Sequence, residues 1–458
     1  MVFPRFPICF FLSDFWAWGA CRLDFKFQPL KFLRMLMMKK FRKDQMKNCF
    51  EQQDFSSVVQ VDGKNDRISN LPDCVLQYIL SFLTTKEAVA TGVLSRRWKH
   101  LWTGVPILDF DDSLLYSSQL NLWYPLEVSL FMNFVERVLL LRDASRIERF
   151  RLSCRVCFSP SRVHAWISAA VRHKVEELDL CLFVDDPFSL PHCILNCGSL
   201  TVLKLEMNCV LQLPCSISLP GLKIMHLGLV TFSDDKSTQR LLSCCPLLEE
   251  LAVLDCEWMN LRCISISITS LKRLIIDELP DFDSNGNSQG CQIKIDARNL
   301  LLLKYSGYLT NEMHICDVSS LVKASLNIPM LCQTGNQIQF SRFLNLVHSV
   351  KHVRSLSLTN LTLEGLDPSI RLAKEEWTPK SASRGFLSRL KIVDVQNFHG
   401  NDAEVHLLQI LLECATFLER INIFCCKDSL GCSNNQENMR NHLQSLPRVS
   451  DSCVIVFS

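Results

Sequence analysis

DRISNLPDCVLQYILSFLTTKEAVATGVLSRRWKHLW, residues Asp66 to Trp102, decides how the chain is read. It spells three short helices. Pro72 suits the first turn of a helix, because its φ is fixed and its missing N–H is not needed there. Behind it Val75, Leu76, Ile79, Leu80 and Leu83 recur at helical spacing and make one apolar stripe. Thr84-Thr85-Lys86-Glu87 has the form of a capping box, so a second helix starts where the first stops. Ala88, Val89 and Val93 give it an apolar face. Ser95 can cap a third helix carrying Arg96, Arg97, Trp98, Leu101 and Trp102.

A module of this size seldom buries enough surface to fold alone, since chains below roughly 40 residues are marginal. Its stripe must complete its burial on the next domain or on a separate protein. From periodicity alone these are equally the core helices of a larger domain. The residues themselves say more. Asp66-Arg67-Ile68-Ser69-Asn70-Leu71-Pro72-Asp73, Ile79-Leu80-Ser81-Phe82-Leu83 and Val93 to Trp102 resemble the F-box nearly end to end, in the wording of its large plant branch. The resemblance implies docking onto the small Skp-type adaptor of a cullin–RING ubiquitin ligase. It also implies that Leu71, Pro72, Ile79, Leu80, Leu83, Val93 and Leu94 face that adaptor.

Working outward, the 458 residues suffice for two or three domains or one solenoid. A net charge of +2 gives no case for nucleic acid or an anionic membrane. Residues 1–65 read as a disordered extension, rich in aromatics and then in Lys and Arg. No stretch of it reaches the roughly 18 apolar residues of a membrane span, and its basic residues follow the apolar part, the wrong order for a secretory signal. The 23 cysteines are scattered. Cys154-Arg-Val-Cys157 lacks a second pair at zinc spacing. The cysteines therefore read as core residues of a reduced, intracellular protein, cytoplasmic or nuclear, with no metal site and no cofactor.

After Trp102 the pattern L-x-x-L-x-L and its apolar variants recurs. It appears at Ile147-Phe150-Leu152, Val175-Leu178-Leu180, Leu200-Leu203-Leu205, Leu222-Met225-Leu227, Leu248-Leu251-Val253 and Leu271-Leu274-Ile276. It continues at Leu300-Leu303-Tyr305, Leu321-Ala324-Leu326, Val353-Leu356-Leu358, Leu390-Val393-Val395 and Leu418-Ile421-Ile423. The mean spacing, about 27 residues, is that of leucine-rich repeats. Positions two apart in a strand face the same way, so the second and third apolar residues of each repeat point inward together. One repeat cannot cover that face, whereas stacked neighbours can. The spacing predicts helical returns at Arg162 to Arg172 and Lys236 to Leu242, a helix over Val128 to Leu141, and a first capping strand at Pro106 to Phe110. Asp281 to Gly290 and Glu375 to Arg384 read as loops. The consensus Asn or Cys position is met only at Asn208, Cys256 and Cys426.

The repeats, for example Leu242 to Cys256, are similar to those of plant F-box proteins. Phe386 to Gly400, Glu404 to Leu412 and Phe417 to Ile423 resemble the FBD domain that follows such repeats. The expected fold is thus α/β: a short three-helix F-box at 66–104, an irregular leucine-rich-repeat solenoid at 105–385 with parallel strands on its concave face, and an FBD-like region at 386–458.

No phosphate-binding loop, nucleophile elbow or zinc-binding H-E-x-x-H is present. His192-Cys193 is a poor nucleophile and base, because adjacent residues rarely face each other. The resemblance implies a non-catalytic receptor that contributes proximity, the chemistry of ubiquitin transfer belonging to other subunits. The resemblance implies partners in a Skp-type adaptor, through it a cullin, and an unidentified protein substrate, with no nucleic acid and no membrane. Outward strand positions, chiefly Arg151, Asp179, Lys204, His226, Lys304 and Asp394, are the substrate-binding candidates. A small-molecule-sensing F-box receptor and a repeat scaffold outside the ligase are the alternatives.

Overall fold

The computed structural model describes residues 68, 71–112, 125–154, 159–182, 190–258, 260–278, 290–328, 337–359, 387–400, 402–425 and 433–457. The expectations for the N-terminal extension, for positions 281–289 and 375–384, and for Cys157 and Cys426 lie outside these residues.

Local chemistry sets the helix starts. Pro72 is the N-cap of helix α1 (Asp73–Leu80), and Asp73 places a negative charge in the first turn, which the helix dipole favours. Helix α2 (Thr85–Ala90) opens on a reciprocal capping box. The Glu87 N–H donates to Thr84 Oγ1 at 3.3 Å, and the Thr84 N–H donates to the Glu87 carboxylate at 3.0 Å. In helix α3 (Trp98–Leu101), the Trp98 N–H donates to Ser95 Oγ at 3.4 Å. One reading is corrected here. Val93 does not lie on the apolar face of α2. The Thr91 hydroxyl donates to Ala88 O at 2.7 Å, and the chain tightens into a 3-10 turn over Thr91–Val93 that leaves Val93 49% exposed. Three residues per turn carry a side chain off the face that 3.6 per turn would keep.

The described residues divide into two compact units, one up to residue 182 and one from residue 190. The first continues with strand β1 (Ile107–Asp111), helix α4 (Pro125–Leu141), strand β2 (Arg149–Cys154), helix α5 (Pro160–Arg172) and strand β3 (Glu177–Leu182). The strands are parallel and in register, so Leu108, Phe150 and Leu178 form one buried row, with Phe110, Leu152 and Leu180 the next. The expected capping strand is therefore β1. Helix α2 is tied to it where the Asp109 N–H donates to Thr85 Oγ1 at 2.7 Å. Buried Arg142, just after α4, donates to Val105 O at 2.9 Å and to Ser145 O at 3.1 Å. It thus fixes the end of the α1–α3 segment against the turn that leads into β2.

The second unit is a ladder of parallel strands. Its order is β4 (Val202–Met207), β6 (Ile224–Gly228), β8 (Glu250–Leu254), β10 (Arg273–Asp277), β12 (Leu302–Ser306), β14 (Lys323–Asn327), β15 (Ser355–Thr359), β16 (Ile392–Phe398), β17 (Arg420–Cys425) and β18 (Val454–Phe457). Each repeat anchor pairs with the equivalent anchor of the next strand: Leu251 with Leu274, Leu274 with Leu303, Leu303 with Ala324. Every anchor read from the L-x-x-L-x-L pattern is buried. Complete burial of one such side chain stabilises by about 1.5–3 kcal/mol relative to exposure, so the register is strongly specified.

The returns are only partly helical. Helices α6 (Asp235–Ser243), α7 (Gln337–Ser349), α8 (Asp402–Cys414) and α9 (Ser433–Ser445) serve some repeats. Between β8 and β14, however, the return is a second parallel sheet of β9 (Cys263–Ile266), β11 (Gln292–Ile295) and β13 (Glu312–Ile315). A further short pair, β5 (Val210–Leu211) and β7 (Thr231–Phe232), lies earlier. At the outer edge of β9, the Gln239 side-chain amide of α6 donates to Ser265 O and accepts from the Ser265 N–H, both at 2.9 Å.

Candidate docking surfaces

Of the residues read as facing an adaptor, Leu80 has no exposed surface, and Ile79 and Leu83 are 7% and 8% exposed. These three side chains are packed within the chain's own first unit. Leu71, Pro72 and Leu94 are half-exposed and Val93 is exposed. Arg97 joins the starts of α1 and α3. Its guanidinium donates to Asp73 Oδ1 at 3.0 Å and also to the Leu71 carbonyl. Both partners are exposed, so the ion pair itself is worth little. Its role is positional, because it holds the backbone at Leu71 beside the segment that carries Leu94. The sequence shows Arg97 only as a helix residue, since the contact spans 26 positions.

The outward strand candidates fall into two in-register rows. Asp109, Arg151 and Asp179 line up on β1–β3 of the first unit. On the second unit Lys204, His226, Ala252, Ile275, Lys304, Ser325, Ser357, Asp394 and Asn422 line up from β4 to β17. Three of the six chief candidates are already engaged. Arg151 bridges Asp109 at 3.0 Å and Asp111 at 3.2 Å. His226 meets Glu250 at 2.7 Å, and Glu250 also pairs with Arg273. Burial pushes the Glu250 carboxyl up, but hydrogen bonds from His226 and Arg273 overcome this and hold it below the ordinary carboxylate value. Asp394 accepts from Asn422 Nδ2 at 2.7 Å. Asp179, Lys204 and Lys304 make no side-chain hydrogen bond or ion pair among the described residues. Among these residues no group of His, Cys, Asp and Glu is placed to hold a metal ion, and no helix is long and apolar enough to cross a membrane.

Residues 68–110 match the family model of the F-box domain. Residues 163–334 match that of the LRR repeats of the FBD-associated F-box protein At5g56370. The F-box/LRR-repeat protein At3g59190 of Arabidopsis thaliana is 32% identical over 306 residues, which are 66% of this chain and 77% of the relative. The chain belongs to the plant F-box/LRR-repeat family. A second family member, the FBD-associated F-box protein At3g52670 of the same plant, is 29% identical over 432 residues, 86% of this chain and 98% of the relative. Other F-box relatives are spanned over only 54% to 65% of their own length. The F-box match ends at Phe110, the last inward residue of β1, so the family unit includes the strand on which α2 docks.

Proposed function

We propose that the chain is the substrate-recognition subunit of an SCF-type ubiquitin ligase, working in the cytoplasm or nucleus. The observation that carries this is the F-box match over residues 68–110 on helices whose exposed lip presents Leu71, Pro72, Val93 and Leu94. In this reading the lip seats a Skp-type adaptor and through it a cullin. The repeats curve as a solenoid with their outward strand face concave, and that face holds the target protein. The region from residue 386 onward is the FBD-like end of the same ladder. The chain supplies no reacting group; it raises the effective concentration of target lysines at the ligase.

Leu71→Ala with Pro72→Ala tests the docking half. Truncating a Leu at the centre of an interface costs about 2 kcal/mol or more, over tenfold in affinity. The double variant should lose adaptor co-precipitation, while its circular dichroism and its binding to repeat-face ligands stay those of the wild type. Wild-type adaptor binding by a folded double variant would take the docking role from Leu71 and Pro72, whereas failure of the wild-type chain itself to co-precipitate the adaptor would transfer the role to a scaffold outside the ligase.

A further inference from the structure

The N-terminal ends of β12, β14, β15 and β16 carry side chains that no repeat anchor needs. Leu301 and Val322 precede β12 and β14, and Ile392 opens β16; they are 45%, 41% and 39% exposed. They belong to three of four consecutive rungs, with β15 and its Arg354 between the second and the last. The Val322 N–H donates to Leu301 O at 3.0 Å, the Arg354 N–H to Val322 O at 2.8 Å and the Lys391 N–H to Arg354 O at 2.9 Å. Lys323 pairs in register with Leu302 on one side and Ser355 on the other, and Ser355 pairs with Ile392. Adjacent strands lie about 4.8 Å apart, so the four rungs make a strip roughly 15 Å across, with Leu301, Val322 and Arg354 in one row and Ile392 in the next, level with Lys323.

The charge around that strip has one sign. Residues 321–328, 350–359 and 387–396 contain Lys323, Lys351, Arg354, Arg389 and Lys391, against the single acid Asp394. Lys391 is neutralised by Glu419 at 2.6 Å, and Asp394 is turned to Asn422. Lys323 and Arg354 have no acidic partner among the described residues, and neither does Lys304 beside them. His352 reports the same field: burial first, then Lys351 and Arg389, lower its pKa, and no acid offsets them.

Part-exposed aliphatic residues among unneutralised cations are complementary to a partner carrying the opposite pattern. From this we propose that the strip around Leu301, Val322, Lys323, Arg354 and Ile392 binds an acidic segment of a protein substrate, with aliphatic or aromatic side chains between its carboxylates. A single-stranded nucleic acid would meet the charge but find no aromatic platform among these residues for base stacking. The proposal rests on the reading of the repeats as the substrate-holding part of the chain, and it places that contact at the strand ends.

The test pans the full chain against a phage-displayed library of random 12-residue peptides, then measures the enriched peptides by fluorescence anisotropy. Enrichment of Asp and Glu interspersed with Leu, Ile or Phe is expected. Lys323→Glu with Arg354→Glu should weaken the best peptide at least tenfold. The milder Lys323→Gln with Arg354→Gln, and separately Val322→Ser with Ile392→Ser, should each weaken it at least threefold. All three variants should keep the wild-type melting temperature and adaptor co-precipitation. No enrichment, enrichment of basic peptides, unchanged affinity in folded variants, or tighter binding of a 20-nucleotide RNA than of any peptide would each overturn it. Loss of adaptor binding in the Leu71 and Pro72 double variant leaves this measurement untouched, so the two readings fail separately.

Discussion

Glu278 is a carboxylate placed where water cannot reach it. Tyr305 Oη donates to it at 2.6 Å, Thr310 Oγ1 at 3.0 Å and Asn311 Nδ2 at 2.9 Å. Gly307, at φ +143°, lies so close that a Cβ there would stand 2.7 Å from that of Glu278. Only glycine tolerates both the backbone and the approach. Glu278→Ala would strip two buried donors, Tyr305 and Asn311, and the part-buried Thr310 hydroxyl of their acceptor, and each buried unsatisfied group costs about 1–3 kcal/mol. Thermal melting should therefore show a loss above about 2 kcal/mol. Burial raises the folded Glu278 pKa, with the hydrogen bonds working against it. Between the unfolded value and that raised value the folded chain binds more protons than the unfolded one. The stability this group contributes is thus present at low pH and lost as pH rises through the folded pKa. Melting curves of wild type and Glu278→Gln between about pH 4 and 8 should show the wild type losing ground with rising pH; parallel curves would remove the linkage. None of this network was legible in the sequence. A lone Glu after a strand reads as solvated, and its partners lie 27 to 33 residues away.

At the scale of elements, the capping box at Thr84 and Glu87, the helix start at Pro72 and the anchors of every repeat were legible, because each depends on residues a few positions apart. The sheet of β9, β11 and β13 was not. Cys263-Ile-Ser-Ile266, Gln292-Ile-Lys-Ile295 and Glu312-Met-His-Ile315 do alternate, but four residues carry too little period to outweigh the expectation of helical returns. Strand β18 was missed likewise: of its four residues only Ile455 and Phe457 pair with anchors. In the candidate sites, burial was the illegible quantity. The stripe of α1 shows helix spacing, but which of its members the chain itself covers depends on residues outside the stretch. The register yields a sharp contrast. Leu251 is fully buried, so Leu251→Asp places an unpaired charge in the core and should unfold its repeat. Lys304→Asp on the outward row of the same ladder should stay within about 0.5 kcal/mol. Limited proteolysis distinguishes the two, and equal loss of both proteins would contradict the strand register.

At the scale of the whole molecule, each strand of the second unit's large sheet bonds only to its immediate neighbours, so its stability is close to a sum of local terms. The small sheet is open like the large one, but with three strands two of them, β9 and β13, are edges. A bare strand edge is a template that another copy of the same chain can extend, rung upon rung, into an aggregate. Gln239 occupies that template at Ser265 with the same donor and acceptor pair a neighbouring strand would bring. With Asp235, whose carboxylate accepts from the Arg262 N–H at 2.8 Å and the Cys263 N–H at 3.4 Å, its amide is thus a plug against self-propagation. Gln239→Leu should fold and melt nearly as the wild type does, yet scatter light increasingly with concentration and time on incubation, as local opening exposes the edge. A variant that stays monomeric under those conditions would show the edge to be closed by something other than this residue.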